Sequence, residues 1–266
     1  MDPALRTAAT GMQAQQTRTD VIANNLANVN TTGFKRSRAH FEDLLYQTLQ
    51  GPATLGSRDT EQLPSIQVGL GTRLTSVQRI DSQGSLEQTS RPLDLAIEGE
   101  GYFQVQLPNG NTAYTRDGSL QVSDQGVLVS NQGYAIQPPI RVPKEATSIT
   151  VSETGVVTAN GMSGASGASG AQELGRIELA RFANPSGLES MGQNLFSETT
   201  ASGDPIRGMP TEDGNGRIAQ GYLESSNVEI VTEMVDMITA QRAYEINSKA
   251  VKNSEDMAQT ANSLMR

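Results

Sequence analysis

The chain contains no cysteine, no tryptophan and a single histidine in 266 residues. The missing thiols exclude disulfides, thiolate catalysis and cysteine-based metal sites. They leave the compartment open, because cysteine avoidance suits an oxidising space while many cytosolic chains also carry few. The one histidine, His40, lies beside the basic cluster Lys35, Arg36 and Arg38 and has no second ligand to pair with. Its expected place is a partly buried helix position, not a catalytic or metal-binding one. No apolar run approaches the ~18 residues of a membrane helix, and the first thirty residues lack the apolar core of a secretory signal. The N-terminus is therefore expected to be retained structure, with no direct membrane insertion. The formal net charge of −9 argues against nucleic acid, which needs concentrated Lys and Arg.

Large apolar residues are scarce as well. Leu, Ile, Val and Phe make up about a fifth of the chain, the lower edge of what a packed globular protein uses. With 26 Gly, six Tyr and five Phe, one large core is not expected. Modest β-domains and terminal segments that gain order from partners are.

Signatures of chemistry are also missing. There is no phosphate-binding loop, and Gly69-Leu70-Gly71 is followed by Thr72-Arg73-Leu74, which breaks the dinucleotide fingerprint. Asp213, Asn215 and Glu224 take the first, third and twelfth places of a calcium-loop template. Arg217 stands where that template needs a ligand, and Ile218 where its turn needs glycine. Glu98 and Glu100 are neighbouring carboxylates, yet nothing in the sequence holds them across a cleft as glycoside hydrolysis requires. No catalytic residue, cofactor or metal is expected, and a secreted glycan-cleaving β-domain enzyme is the remote alternative.

What is present sits at the two ends. Leu5, Met12, Thr19 and Leu26 fall seven apart, with Ala8, Gln15, Ile22 and Val29 three behind them, as the seams of one helix do. Near the other end Ile230, Met237, Tyr244, Val251, Ala258 and Met265 keep the same spacing, and Val231, Met234, Ile238 and Leu264 widen the face. Such stripes ordinarily pack on their own domain's core. Here the helices would be long, ~39 Å from Pro3 to Asn28 and ~57 Å from Val228 to Met265. The flank of the first stripe is rich in amides and hydroxyls (Gln13, Gln16, Thr17, Asn24, Asn25) and poor in charge, which suits packing against copies of itself. Asp2 before Pro3 marks one helix start, Ser226 with Glu229 forms a capping-box pattern at the other, and Gly33 marks the end of the first helical stretch.

Between the ends the period changes to two. Leu93, Leu95 and Ile97 alternate with Asp94, Ala96 and Glu98, and Phe103, Val105 and Leu107 alternate with Gln104 and Gln106. Asn109-Gly110, Asp117-Gly118, Asn160-Gly161 and Asp213-Gly214 are turn dipeptides of the type that tolerates positive φ. The tract from Gly161 to Gly170, GMSGASGASG, is expected to be a flexible loop between strands. The expected fold is α+β: long terminal helices (1–45 with 226–266) pairing as a coiled-coil-like inner domain, and a mainly antiparallel β-domain over 71–225. Residues 46–70, broken by Pro52 and Pro64, form a linker or an ordered insertion between subunits.

The segment from Asn24 to Arg36, NNLANVNTTGFKR, resembles the N-terminal signature of bacterial flagellar rod and hook proteins. AQRAYEINSK at 240–249 resembles their C-terminal signature, and DLAIEGEGYF at 94–103 with YTRDG at 114–118 resembles the opening of their β-domain. The resemblance covers nearly the whole chain. Its length and the zone after Leu45 are most like the members that build the distal rod, with a proximal rod or hook-type subunit as the alternative.

The resemblance implies a non-enzymatic axial subunit of the flagellar basal body, spanning the periplasm and cell envelope. It would leave the cell through the flagellar type III export apparatus without a cleaved signal and polymerise into a hollow, rigid drive shaft from motor to hook. Expected partners are copies of itself, proximal rod and hook subunits at the two ends, and surrounding ring proteins. The expected assembly surface is formed by Leu5, Met12, Ile22 and Leu26 on the first helix and Ile230, Met237, Tyr244, Val251 and Ala258 on the last. Asn24, Asn25 and Asn28, three or four apart, are placed to fix register between subunits by buried hydrogen bonds, or else face water as ordinary helix-end amides.

Overall fold

The computed structural model describes residues 3–50, 66–163, 169–212 and 214–264. Asp2, Asp213, Met265, the centre of the 46–70 segment and the middle of the Gly/Ser tract lie outside the described residues. The chain divides into two units, 1–27 with 37–79 and 229–266, and 28–36 with 80–228. Among the described residues the class is α+β, with two α-helices and strand pairs that are all antiparallel.

The first unit holds both helices, α1 (Pro3–Ala27) and α2 (Ile230–Leu264). They run antiparallel, since Gly11 lies against Asn247, Arg18 bonds Asp236 at 2.9 Å, and Asn25 bonds Glu233 at 3.2 Å. The Ser226 cap is not formed as expected. Ser226 Oγ receives the Val228 N–H at 3.3 Å, while the Glu229 carbonyl accepts the first helical bond from Glu233 N and the Glu229 carboxylate takes the Thr232 hydroxyl. The helix therefore starts at Ile230, later than the capping-box pattern implies, and the Ser226 hydroxyl serves the turn before it.

The same unit contains a long two-stranded ribbon. Ser37–Asp43 pairs with Thr72–Arg79, and Tyr46–Gln50 continues the ribbon against Ile66–Gly69. Leu44 N and Leu70 N bond across to Gly71 and Leu45 carbonyls and join the two stretches. His40 is thus an exposed strand residue opposite Ser76, not a helix residue; the helical stripe ends before it.

The ribbon is fitted to α1 by length. Asn25 holds Ser37 at one end, and Thr10 meets Gly71 and Thr72 at the other. From Thr10 to Asn25 is about 22 Å of helix and from Ser37 to Leu44 about 23 Å of strand, so the two rise in step. Gly71, at φ +115°, leaves no alternative side chain: an added Cβ would lie 2.1 Å from Thr10 Oγ1.

The second unit is the β-body. Its main sheet brings Tyr102–Gln106 between Thr112–Thr115 and Ala135–Ile136, and Leu179–Arg181 also pairs with Tyr102–Gln106. The alternation expected at 93–98 and 103–107 is overridden in the centre. Asp94, Leu95, Ala96, Ile97 and Gln104 are all buried, because the sheet is covered on both faces. Phe103 and Val105 join a large cluster with Leu95, Ile97, Leu128, Ile136 and Ile177. Tyr102 turns the other way into an aromatic cluster with Tyr114, Phe182 and Phe196, whose rings meet edge to face.

Two of the expected turn glycines serve other ends. Gly118 does not take positive φ; it is required because an added Cβ would fall 1.5 Å from the Leu95 carbonyl oxygen. Gly161, at φ +91°, sits within the strand Val156–Ser163 where its register with Ser169–Arg176 shifts. The ends of the Gly/Ser tract are therefore part of that ladder, with Ser163 paired to Ser169.

Candidate assembly surface

In the helical unit the side chains are sorted in an unusual sense. The face of α2 turned to the rest of its unit carries Glu233, Ala240 and Ser254, which are buried, with half-buried Met237, Asn247 and Val251 between them. The opposite face carries Val231, Met234, Val235, Ile238 and Ile246, all exposed, Val231 by 69 % and Ile246 by 66 %, and Ile230 and Tyr244 nearer the inner face are exposed as well. The buried positions of this helix are small or polar while its most exposed ones are large and apolar, which is not how a self-sufficient amphipathic helix is arranged. From Glu255 to Ala261 every residue of α2 is exposed. The ribbon adds Leu45, Tyr46, Ile66, Val68, Leu74 and Val77 to the exposed apolar set. Contiguous exposed apolar surface of this kind is uncommon on self-contained monomers.

The residues expected to form the seam share one side of α2, because a seven-residue step falls only about 20° short of two full turns. On that side Met237 and Val251 are half-buried, while Ile230, Tyr244 and Ala258 are exposed. On α1, Ile22 is buried, and Leu5, Met12 and Leu26 are half-buried.

The three asparagines separate. Asn24 is exposed on α1, and Asn28 lies in the turn that follows, where its carbonyl accepts Thr31 N–H and its Oδ1 the Thr31 hydroxyl. Asn25, 1 % exposed, spends its amide within the chain. Nδ2 donates to Ser37 O at 2.9 Å and to Glu233, and Oδ1 accepts Ser37 N at 2.9 Å, the pattern of a missing strand neighbour.

The β-body explains most of the remaining signature. Lys35 Nζ donates to the Glu224 carboxylate and, at 2.8 Å, to the Ser82 carbonyl. Gly84 N bonds the same carboxylate at 3.0 Å. Arg116 Nε lies 3.3 Å from the other Glu224 oxygen as an ion pair, while its Nη atoms bond the Gly101 and Gly99 carbonyls, both at 2.8 Å, and its guanidinium rests over the Tyr102 ring. All three charged side chains are at most 5 % exposed. Burial pushes the Lys35 ammonium below its ordinary value, against the pull of the Glu224 carboxylate, with the Arg116 charge lowering it further. Gly33 (φ +69°) completes the cluster, its N–H on the Glu224 carbonyl and its α-carbon so close that an added Cβ would stand 2.9 Å from the Arg116 backbone.

Sequence reasoning missed this cluster. Lys35 read as one of a short basic run and Glu224 as the twelfth position of a failed calcium loop. The available signal was that TTGFK, EGEG and YTRDG all lie in motifs richer in glycine and charge than strands require. The two neighbouring carboxylates are taken up by ion pairs, Glu98 with Arg217 at 2.8 Å and Glu100 with Arg181 at 3.6 Å, each at the surface. Among the described residues no group of three or more acidic or histidine side chains could hold a metal ion, and no helix is long and apolar enough to cross a membrane.

Known proteins resemble this chain along nearly its whole length. Residues 5–35 match the flagella basal body rod protein family, residues 96–159 the flagellar hook protein FlgE/F/G D1 domain, and residues 219–264 the flagellar basal body rod FlgEFG protein C-terminal family. A flagellar basal-body rod protein FlgG of Borreliella burgdorferi is 50 % identical over 265 residues, covering 99 % of this chain and 98 % of the relative. FlgG of Caulobacter vibrioides is 48 % identical, covering 98 % of each, and FlgG of Bacillus subtilis 37 % identical, again covering 98 % of each. The chain belongs to the flagellar basal-body rod protein family, as a structural axial subunit and not an enzyme.

Proposed function

We propose that this chain polymerises with copies of itself into the rigid distal rod, the hollow shaft that carries torque from motor to hook. The exposed apolar face of α2 carries the reading. Ile230, Val231, Met234, Val235 and Ile238 present a continuous patch that water disfavours and that neighbouring copies would cover. Contacts of this kind between different patches of identical subunits do not close and so build a tube. In the assembled shaft α1 and α2 would line the inner tube as a coiled-coil-like layer, with the β-body outside. The 46–70 segment would wedge between adjacent subunits and oppose sliding. Proximal rod and hook subunits at the ends, ring proteins around the shaft and the flagellar export apparatus complete the expected partners. Export without a cleaved signal would place the shaft across the periplasm and envelope.

The test is a side-chain-resolution electron-microscopy map of native basal bodies, searched for this sequence along the axis. Density for α1 and α2 in the inner tube between ring level and hook is the expected result. The chain found only below that level would make it a proximal subunit, and its absence from the shaft would overturn the proposal.

A further inference from the structure

The chain passes between its two units at four points, 27/28, 36/37, 79/80 and 228/229. Any force reaching the β-body through the covalent chain enters by residues 28–36, 80–84 or 224–228. The bonds of the buried charge cluster fall on these same stretches. Lys35 reaches Ser82 and Glu224, and Glu224 reaches Gly84. Asn227 takes the Arg36 N–H at 2.7 Å and donates to the Ile80 and Ser82 carbonyls at 2.8 and 3.0 Å. Ile80 N–H bonds the Arg36 carbonyl, and Asn194 holds the Thr32 carbonyl at 3.0 Å. Arg116 then ties Glu224 to the Gly99 and Gly101 loop of the body itself.

We propose that Lys35, Glu224, Arg116 and Asn227 form a polar anchor that pins the ends of the β-body's two segments to one another, so that load arriving along any one is shared by all. An apolar cluster of the same size would supply burial but no direction, since apolar contacts slide; bonds to named carbonyls and amides fix position. Buried ion pairs stabilise little compared with well-packed apolar replacements, and this cluster is read as serving geometry instead. These are positioning residues for a torque-bearing subunit, and the mechanical part of the inference rests on the rod reading above.

The test uses the full-length chain in two variants, Glu224→Ala and the double variant Lys35→Met with Glu224→Leu. The measurements are thermal unfolding and amide hydrogen exchange at Gly33, Arg36 and Ile80, whose own acceptors are untouched by either change. Glu224→Ala, which leaves two buried cations without their carboxylate, should lower the unfolding midpoint of the β-body and raise exchange at all three amides by two orders of magnitude or about that. The double variant, which removes one of the two stranded cations and leaves Arg116, should regain part of the midpoint yet keep those amides exchanging at least ~10-fold faster than native, while Phe103 and Val105 stay protected. A double variant with native exchange at the three amides, or a Glu224→Ala variant with native midpoint and exchange, would overturn the anchor. In a strain lacking its own subunit, the unmodified chain should restore swimming; failure of that control counts against the rod reading alone, since exchange is measured on the isolated chain. With swimming restored, shafts built from the double variant should fail in viscous medium, and wild-type endurance there would overturn the load-sharing role.

Discussion

The β-body and the helical unit treat their large apolar residues in opposite ways. In the body Leu95, Ile97, Phe103, Leu128, Ile136, Ile177 and Leu179 are all at most 2 % exposed. In the helical unit Ile230, Val231, Met234, Val235, Ile238, Tyr244 and Ile246 are exposed, and apart from Ile22 the residues buried on the two helices are the small or polar Ala14, Ala240, Ser254, Glu233 and Asn25. The body is completed by its own chain. The helical unit keeps its strongest driving force unspent, held in register by directional bonds from Asn25 and Arg18 to Glu233 and Asp236. One chain can thus carry a finished domain and an unfinished surface, separated by which side of a helix bears the large side chains.

The largest expected effect breaks that contrast on the unfinished side. Ile238→Asp puts a charge in the exposed apolar face, where it costs little in the isolated chain and becomes a desolvated, unpaired charge in the polymer. Polymerisation should be lost outright, as judged by sedimentation and by basal bodies lacking a shaft, while the β-body keeps its thermal midpoint. Ile238 is a cleaner site than Met237, which is half-buried toward the inner face, so that a charge at 237 would confound assembly with folding. A polymer of normal length from Ile238→Asp would show that this face is not the contact surface.

The converse change acts on the finished side. Phe103→Ala empties the centre of the body's main cluster, where Phe103 is fully buried, and large-to-small changes of this kind cost ~3 to 5 kcal/mol. Denaturant unfolding followed by a probe in the β-body should record that loss. Helical ellipticity should be retained wherever the two units unfold separately, and simultaneous loss of both signals would show a single cooperative transition.

The sequence made the two kinds of region visible but not the sides of the helices. Heptad spacing at Ile230, Tyr244 and Ala258 located α2, and alternation at 93–107 located the body, because period is a property of the backbone. Which face of α2 turns inward depends on what α1 and the ribbon offer, and they offer Asn25, Gly11 and a close approach that favours small residues. Hydrophobicity alone assigns the larger side chains to the inside and here points the wrong way for Met234 and Ile238. The anchor was illegible for a related reason. Lys35, Arg116 and Glu224 lie far apart in sequence, and a buried charge looks like a surface charge until its partners are known.

A smaller effect is expected within the helical unit. Asn25→Ala leaves the Ser37 N–H and carbonyl without the amide that mimics a neighbouring strand, a loss of ~1 to 3 kcal/mol for buried groups left unpaired. Exchange at the Ser37 amide should rise while the β-body's midpoint is unchanged. An unaltered Ser37 amide would mean that the ribbon is held to α1 by its other contacts.

The smallest effect is confined to alkaline solution and to the aromatic cluster of the body. Burial, reinforced by the hydrogen bond to Glu198 at 3.0 Å, pushes the Tyr114 phenol up to about 12, against about 10 in an unfolded chain. The folded state then holds its proton where the unfolded state has released it, so the unfolded state binds fewer protons and stability falls as pH rises. The contribution is whole below about pH 10 and is lost as pH climbs through about 12. Tyr114→Phe removes the titrating group but keeps the ring that meets Phe182 edge to face. Below pH 9 the variant should be slightly less stable for want of one hydrogen bond, by ~0.5 to 1.5 kcal/mol. Across the alkaline range its stability should fall less steeply than that of the native chain, so that the two curves converge. Parallel curves would show that Tyr114 titrates as an ordinary tyrosine and that the aromatic cluster does not seal its hydroxyl from water.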